Sequence, residues 1–211
     1  MKRRMVSKSR SLKRKVYLIS PNKIYPNFFI DLEKVLSSKH VSFFQLRLKN
    51  NNKNQIIKIA KKIKPITKKF KVKFLINDSY KIAKKVSSDG CHLGQSDENI
   101  HSAKKNLKNK IIGVTCHNSK ALALQALKNK ASYVAFGSFF ISKLKPNAKK
   151  ANLKILNWAK KNIKKPIVAI GGINEKNYKN LIKAGANYIA ISTVIWNNPF
   201  LKPEIAIRKF I

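Results

Sequence analysis

Phe74-Leu-Ile-Asn-Asp-Ser-Tyr80 is followed by Asp89-Gly-Cys-His-Leu-Gly-Gln-Ser-Asp97, and the two stretches read as one device used twice. Residues 74–76 are a short apolar run of β type that stops at Asn77-Asp78. Ile82, Ala83 and Val86 then fall at helical spacing. Residues 90–93 form the second run, ended by Gly94 and a polar turn through Asp97-Glu98. Strand, helix and strand in this order make a parallel βαβ unit. Ligands of such sheets and barrels gather at the carboxyl ends of the strands, and Asp78 and Asp97 both stand just past such ends.

These carboxylates are conspicuous because the chain has only 8 acidic residues against 47 Lys and Arg. Two carboxylates that leave open positions beside a phosphate-bearing ligand suit Mg²⁺, which keeps waters and takes one or two protein oxygens. Each aspartate also precedes a helical pattern, where Asp is a favoured N-cap, so the local sequence leaves capping and metal binding both open. Asp89 reads as a turn residue before Gly90.

Outward from this unit the same alternation continues in both directions. Strands are expected at 16–20, 41–47, 73–77, 90–93, 110–115, 133–137, 166–170 and 188–191. Helices are expected at 28–38, 55–64, between 77 and 90, and at 98–107, 120–128, 153–161 and 204–210. Another opens at Asn174 and closes at Gly185. Ile56, Ile59, Ala60 and Ile63 mark the apolar face of the 55–64 helix, which Pro65 is expected to end or kink. Eight strands alternating with helices predict a single-domain α/β fold, a closed (β/α)8 TIM barrel over residues 16–211. Residues 1–15 are expected to be a disordered basic tail. No Gly-x-Gly-x-x-Gly follows the first strand, which counts against a dinucleotide fold.

The formal charge of +39 is almost all lysine, with six arginines in the chain. Such a field attracts polyanions, so a nucleic-acid binder is one alternative. The lysines are spread over the polar faces of every helix rather than gathered in one block, which favours a solvated surface and no specific nucleic-acid partner. Cys91 and Cys116 fall on or beside core strands and read as packed, reduced thiols. The apolar run after the tail is too short for a secretory signal and nothing approaches a membrane span, so a cytoplasmic protein is expected. The sequence leaves a homo-oligomer open.

The barrel reading gathers the polar residues at the strand ends into one site. Its members are Gln45, Arg47 and Lys49; Asn77 and Asp78; His92, Gln95 and Asp97; Thr115 and His117; Ser138, Ser142 and Lys145; Gly171 and Gly172; Ser192 and Thr193. Arg47 is informative because lysine is this chain's usual cation, and a guanidinium offers a planar bidentate donor to phosphate. A mouth ion pair is the alternative. Gly171-Gly172 and Ile191-Ser192, after the seventh and eighth strands, occupy the usual phosphate position of barrels. His92 and His117 suit general bases or, more simply, hydrogen-bonded structural imidazoles.

Read in order, Gln45-Leu-Arg-Leu-Lys49, Asn77-Asp78, 89–97, Gly113-Val-Thr-Cys-His117, 133–140, Ala169-Ile-Gly-Gly-Ile173 and Ala190-Ile-Ser192 resemble the thiamine phosphate synthase family with its thiazole-tautomerase relatives. The resemblance covers about 16–195 and implies a reaction. A hydroxymethylpyrimidine diphosphate loses pyrophosphate, and a thiazole phosphate takes the methylene carbon through its nitrogen. It implies Asp78 and Asp97 as Mg²⁺ ligands and Arg47, Lys49 and Lys145 as the catalytic cations. Gln45, Arg47, Lys49, Asn77, Thr115 and Lys145 would hold the pyrimidine diphosphate. Ser142, Gly171, Gly172, Ile191 and Ser192 would hold the thiazole phosphate. The chain departs from the family at Leu48, where an acid is usual, at Ile141, where a proline is usual, and at Leu144, where a hydroxyl is missing. Loss of that hydroxyl is expected to weaken thiazole-phosphate binding by roughly 0.5–1.5 kcal/mol. A metal-independent tautomerase is the second enzyme reading, and the presence of both carboxylates favours the synthase over it.

Overall fold

The computed structural model describes residues 15–140 and 150–210. All but the last residue of the expected tail, together with Ile141, Ser142, Leu144 and Lys145, lie outside them. Eight strands alternate with helices from the start. They are β1 (Val16–Ile19), α1 (Phe28–Ser37), β2 (Val41–Leu46), α2 (Lys53–Lys69), β3 (Lys73–Asn77), α3 (Tyr80–Val86), β4 (Gly90–Leu93) and α4 (Ile100–Asn106). The second half runs β5 (Ile111–Thr115), α5 (Lys120–Lys128), β6 (Tyr133–Phe136), α6 (Leu153–Asn162), β7 (Ile167–Ile170), α7 (Tyr178–Ala184) and β8 (Tyr188–Ile191). Two short helices, α8 (Thr193–Trp196) and α9 (Pro203–Ala206), and a 3-10 turn over Ile207–Lys209 complete it.

Every strand pairs in parallel with its sequence neighbours, and β1 pairs with β8 to close the barrel. Period-two alternation sorts the strand residues into two cores. Val16, Leu18, Phe44, Phe74, Ile76, Val134 and Ile189 point outward under the helices. Tyr17, Ile19, Leu75, Tyr133, Ala135, Val168 and Ala190 point inward and fill the barrel. The same inward phase carries Gln45, Asn77, His92 and Thr115 to the carboxyl ends. The rule that packs the interior therefore also delivers its polar groups.

Several helix boundaries differ from expectation for local reasons. Pro65 lies inside α2, which runs four residues beyond it. Both Pro65 and Lys61, whose carbonyl the proline cannot serve, are on the exposed face. On that face the Lys61 carbonyl is open to solvent, so the lost hydrogen bond costs little, and Thr67 continues the buried stripe. Asn174 does not open α7. Its side chain accepts from the Lys176 and Asn177 amides and builds a turn before the helix. Lysines occupy the last turn of each helix from α1 to α7, where they oppose the helix dipole and remain in water. Among the described residues no helix is long and apolar enough to cross a membrane.

Candidate active site

Neither aspartate is a cap. Ser79 caps α3 by accepting from the Ile82 amide at 3.2 Å, and Asn99 caps α4 by accepting from the His101 amide at 2.7 Å. The caps lie one and two residues farther on and leave both carboxylates free for the barrel mouth. Asp78 adopts the left-handed region, φ 64, and its amide donates to the His92 carbonyl at 2.8 Å. Asp97 is held in its turn by the Gly94 amide, which donates to Oδ2 at 2.6 Å.

The two carboxyls come within hydrogen-bond reach of each other. Burial, then the hydrogen bond to Asp97 and its charge, push the Asp78 carboxyl up to about 6, against the pull of Lys49 and Arg47. Lys49 Nζ lies 3.9 Å from Asp78 Oδ2. Arg47 is partly buried, and both aspartates bias it toward the charged form that burial disfavours. Its guanidinium donates to Asn22 Oδ1 at 3.2 Å. It forms none of the ion pairs among the described residues, so most of its fork is available to an anion. Two hard oxygen donors crowded together, with cations beside them, fit Mg²⁺. No cluster of three or more His, Cys, Asp or Glu side chains occurs among the described residues, so the remaining positions would fall to water and substrate oxygens.

Below the aspartates a chain of hydrogen bonds crosses the barrel. Gln45 donates to Asn77 Oδ1, and Tyr17 donates to Gln45 Oε1 at 2.7 Å. The Tyr17 oxygen meets the Tyr133 hydroxyl at 2.8 Å. That hydroxyl meets His92 Nδ1 at 2.8 Å, and His92 Nε2 meets Thr115 Oγ1 at 2.8 Å. The directions follow from one end. Because Tyr17 donates to Gln45, it accepts from Tyr133, which accepts from His92 Nδ1–H, and Nε2 accepts from Thr115. The chain thereby turns the Asn77 amide N–H groups and the Thr115 lone pairs toward the mouth.

Burial lowers His92 to about 4, so the neutral ring this chain requires is present at pH 7. Its folded value lies below the ordinary 6.5, so the stability it contributes is present above 6.5 and is lost as the pH falls toward 4. The gap corresponds to about 3 kcal/mol for this fully buried ring. From pH 6.5 to 4, urea denaturation should show His92→Gln losing less stability than the wild type by about that amount, since the gain from protonating Asp78 over the same window is common to both.

On the far side of the mouth Gly171 and Gly172 take φ 104 and 62, a path that side chains resist. A Cβ on Gly171 would lie 2.0 Å from Ser138 Oγ. Asn177 Nδ2 donates to the Gly172 carbonyl at 3.1 Å and holds the turn. The neighbouring strand ends at Ile191, whose side chain is buried, so only its backbone faces the mouth. Ser192 Oγ donates to the Ser20 carbonyl at 3.0 Å. His117 is exposed, and Leu48 is buried in the outer core. Asp89 lies at the opposite end, where it accepts from the Phe74 amide and ties down the start of β3.

Gln45, Asn77, His92 and Thr115 are thus joined by one hydrogen-bonded chain, and Arg47, Lys49, Asp78 and Asp97 lie together above it. Tyr17, Tyr133 and Glu98 were not among the candidates. Strand phase could have found the two tyrosines, since both share the inward register of Gln45 and His92. Glu98 carries no such signal.

The profile of the thiamine monophosphate synthase family matches residues 16–195. The thiamine-phosphate synthase of Pelagibacter ubique is 57% identical over 199 residues, covering 93% of this chain and 96% of the relative. That of Erythrobacter litoralis is 39% identical over 187 residues, with 86% and 88% covered. The solved thiamine phosphate pyrophosphorylase of Pyrococcus furiosus superposes with a TM-score of 0.83 at 29% identity, covering 93% of each chain. With a match that spans the barrel and a relative alike along nearly its whole length, the chain belongs to the thiamine monophosphate synthase family.

Proposed function

We propose that this enzyme is a thiamine-phosphate synthase. It joins a hydroxymethylpyrimidine diphosphate to a thiazole phosphate and releases pyrophosphate. The convergence of the Asp78 and Asp97 carboxyls beside Arg47 and Lys49 carries the reading. Asp78 and Asp97 would hold Mg²⁺, which when bound would supply positive charge beside the departing diphosphate. Arg47 and Lys49 meet the same growing charge and are already in place before the bond breaks. Lys145, which lies outside the described residues, joins them in this reading.

The pyrimidine ring rests over the hydrogen-bonded floor. Asn77 presents N–H donors and Thr115 an acceptor, and Gln45 keeps one N–H beyond those it spends on its neighbours. As the C–O bond to the diphosphate breaks, the methylene carbon becomes electron-poor. The thiazole nitrogen attacks it from a partner held by its phosphate at Gly171-Gly172, Ile191 and Ser192, with Ser142 completing that end. The ring nitrogen carries no proton to remove, so positioning and exclusion of water do more here than a base. Two buried free thiols, Cys91 and Cys116, suit a reducing cytoplasmic location.

Incubation with both substrates and Mg²⁺ should yield thiamine phosphate and pyrophosphate in equal amounts, with EDTA abolishing turnover. No thiamine phosphate in this assay, together with turnover of a thiazole carboxylate phosphate in EDTA, would favour the metal-independent tautomerase reading.

A further inference from the structure

Glu98 has no assigned part in the chemistry, and its surroundings are unusual for this chain. It is one of 8 acidic residues among 47 Lys and Arg, yet the ion pairs of the described residues use Glu33, Asp78, Asp89 and Glu204 instead. Its carboxylate reaches out of the β4–α4 loop to the turn that follows Asp78. Oε1 accepts from Ser79 Oγ at 3.0 Å. Oε2 accepts from the Tyr80 amide at 2.6 Å and from the Lys81 amide at 3.3 Å. The Ser79 hydroxyl in turn accepts from the Ile82 amide, so the first three amides of α3 are all engaged.

Successive residues of one loop therefore address successive residues of the other. Asp97 brings its carboxyl to that of Asp78, and Glu98 grips the backbone immediately after Asp78. Two carboxylates this close repel when both are ionised, and Asp78 occupies a backbone region that few residues other than glycine adopt. Its own tie to the neighbouring strand is the hydrogen bond that its backbone N–H donates to the His92 carbonyl. Three hydrogen bonds to an ionised acceptor, two of them from backbone amides, are strong enough to oppose that repulsion. An asparagine or glutamine there would accept the same bonds more weakly.

We propose that Glu98 is a positioning residue, a clip that locks the β3–α3 and β4–α4 loops together and keeps the Asp78 and Asp97 carboxylates spaced for one divalent ion. The inference rests on the reading of these two aspartates as metal ligands. Outer partners that orient metal ligands typically cost 10–100-fold in metal affinity when removed.

The test measures Mn²⁺ binding directly, by the EPR signal of the free ion in the presence of inorganic pyrophosphate, alongside steady-state kinetics and melting. Glu98→Ala should bind Mn²⁺ about tenfold more weakly. Its kcat at saturating metal should stay within about threefold of wild type, because no reacting atom is touched. Glu98→Gln should fall between them, and Glu98→Asp, one methylene shorter, should resemble the alanine variant. Ser88→Ala, which loses the 2.8 Å bond to the Gly90 carbonyl beyond the other end of α3, controls for stability alone and should leave Mn²⁺ affinity unchanged. A lower melting temperature in Glu98→Ala with wild-type Mn²⁺ affinity would make Glu98 a helix cap only and overturn the clip. Mn²⁺ binding that survives Asp78→Asn plus Asp97→Asn, or a wild type that binds none, would overturn the metal reading itself and the clip with it.

Discussion

Exchanging both Asp78 and Asp97 for asparagine should lower kcat/KM by roughly 10³-fold or more while the protein stays folded. The shape of each side chain is kept, so what is lost is negative charge at the mouth and the ability to hold a divalent ion. Single variants should already lose most of this. The two carboxylates act as a unit, and the double variant should cost no more than about tenfold beyond the worse single one.

The metal-free proteins should move the other way in stability. The Asp78 carboxyl is pushed up to about 6 in the fold, so its protonated form favours folding. That contribution is complete below about 4 and is lost as the pH rises through about 6, so ionised Asp78 is a burden at pH 7. Removing the charge should raise metal-free stability by roughly 1 kcal/mol after allowance for partial exposure, or about 3 °C in melting temperature. Activity near wild type in the double variant, or a large fall in its metal-free stability, would sink the account of a strained, charge-crowded pair.

The second large effect is structural. Gly113 on β5 lies against the ring of Tyr133, and a Cβ there would stand 1.9 Å from Tyr133 Cζ and 2.2 Å from its oxygen. The ring cannot shift without breaking the contacts that hold it. It stacks on His92 at 5.7 Å and meets Tyr17 edge-on at 5.9 Å, and its hydroxyl holds the centre of the polar chain. Gly113→Ala should cost about 3–5 kcal/mol, combining overpacking with broken buried hydrogen bonds, and lower the melting temperature by about 6–20 °C. Turnover should fall too, because Gln45 and Asn77 lose their fixed orientation. Cutting the ring back in Gly113→Ala plus Tyr133→Leu should recover part of the stability. A single variant that melts within about 2 °C of wild type would show that the barrel interior is looser than this packing implies.

Much of the chain could be read before its tertiary structure was known. The alternation of apolar runs with helical spacing located all eight strands, and α5 falls at the expected residues, 120–128. Short local rules sufficed there, because strand phase and helix periodicity are set by which residues must leave water. Boundaries went astray where a nonlocal or solvent effect decided them. The exposed position of Pro65 let α2 continue through it. At the start of α4, Glu98 is drawn away to the neighbouring loop, and the helix begins at Ile100. The short helix α8 escaped notice, being only four residues long, and is anchored by the Trp196 indole donating to the Ile19 carbonyl at 2.6 Å.

The sequence by itself determined the barrel, because burial in a closed parallel sheet imposes a periodic pattern that lysine-rich helices cannot hide. It also determined which residues would stand at the strand ends. Whether Asp78 and Asp97 cap helices or face each other was decided only by the tertiary structure, since Asp, Ser and Asn are near-equal caps and local sequence cannot choose among adjacent ones. The choice was settled by contacts between loops that the chain separates: the His92 carbonyl on the Asp78 amide, and Glu98 on the start of α3. The same holds for the polar chain through Tyr17, Tyr133 and His92, whose donor order depends on closing the ring of strands.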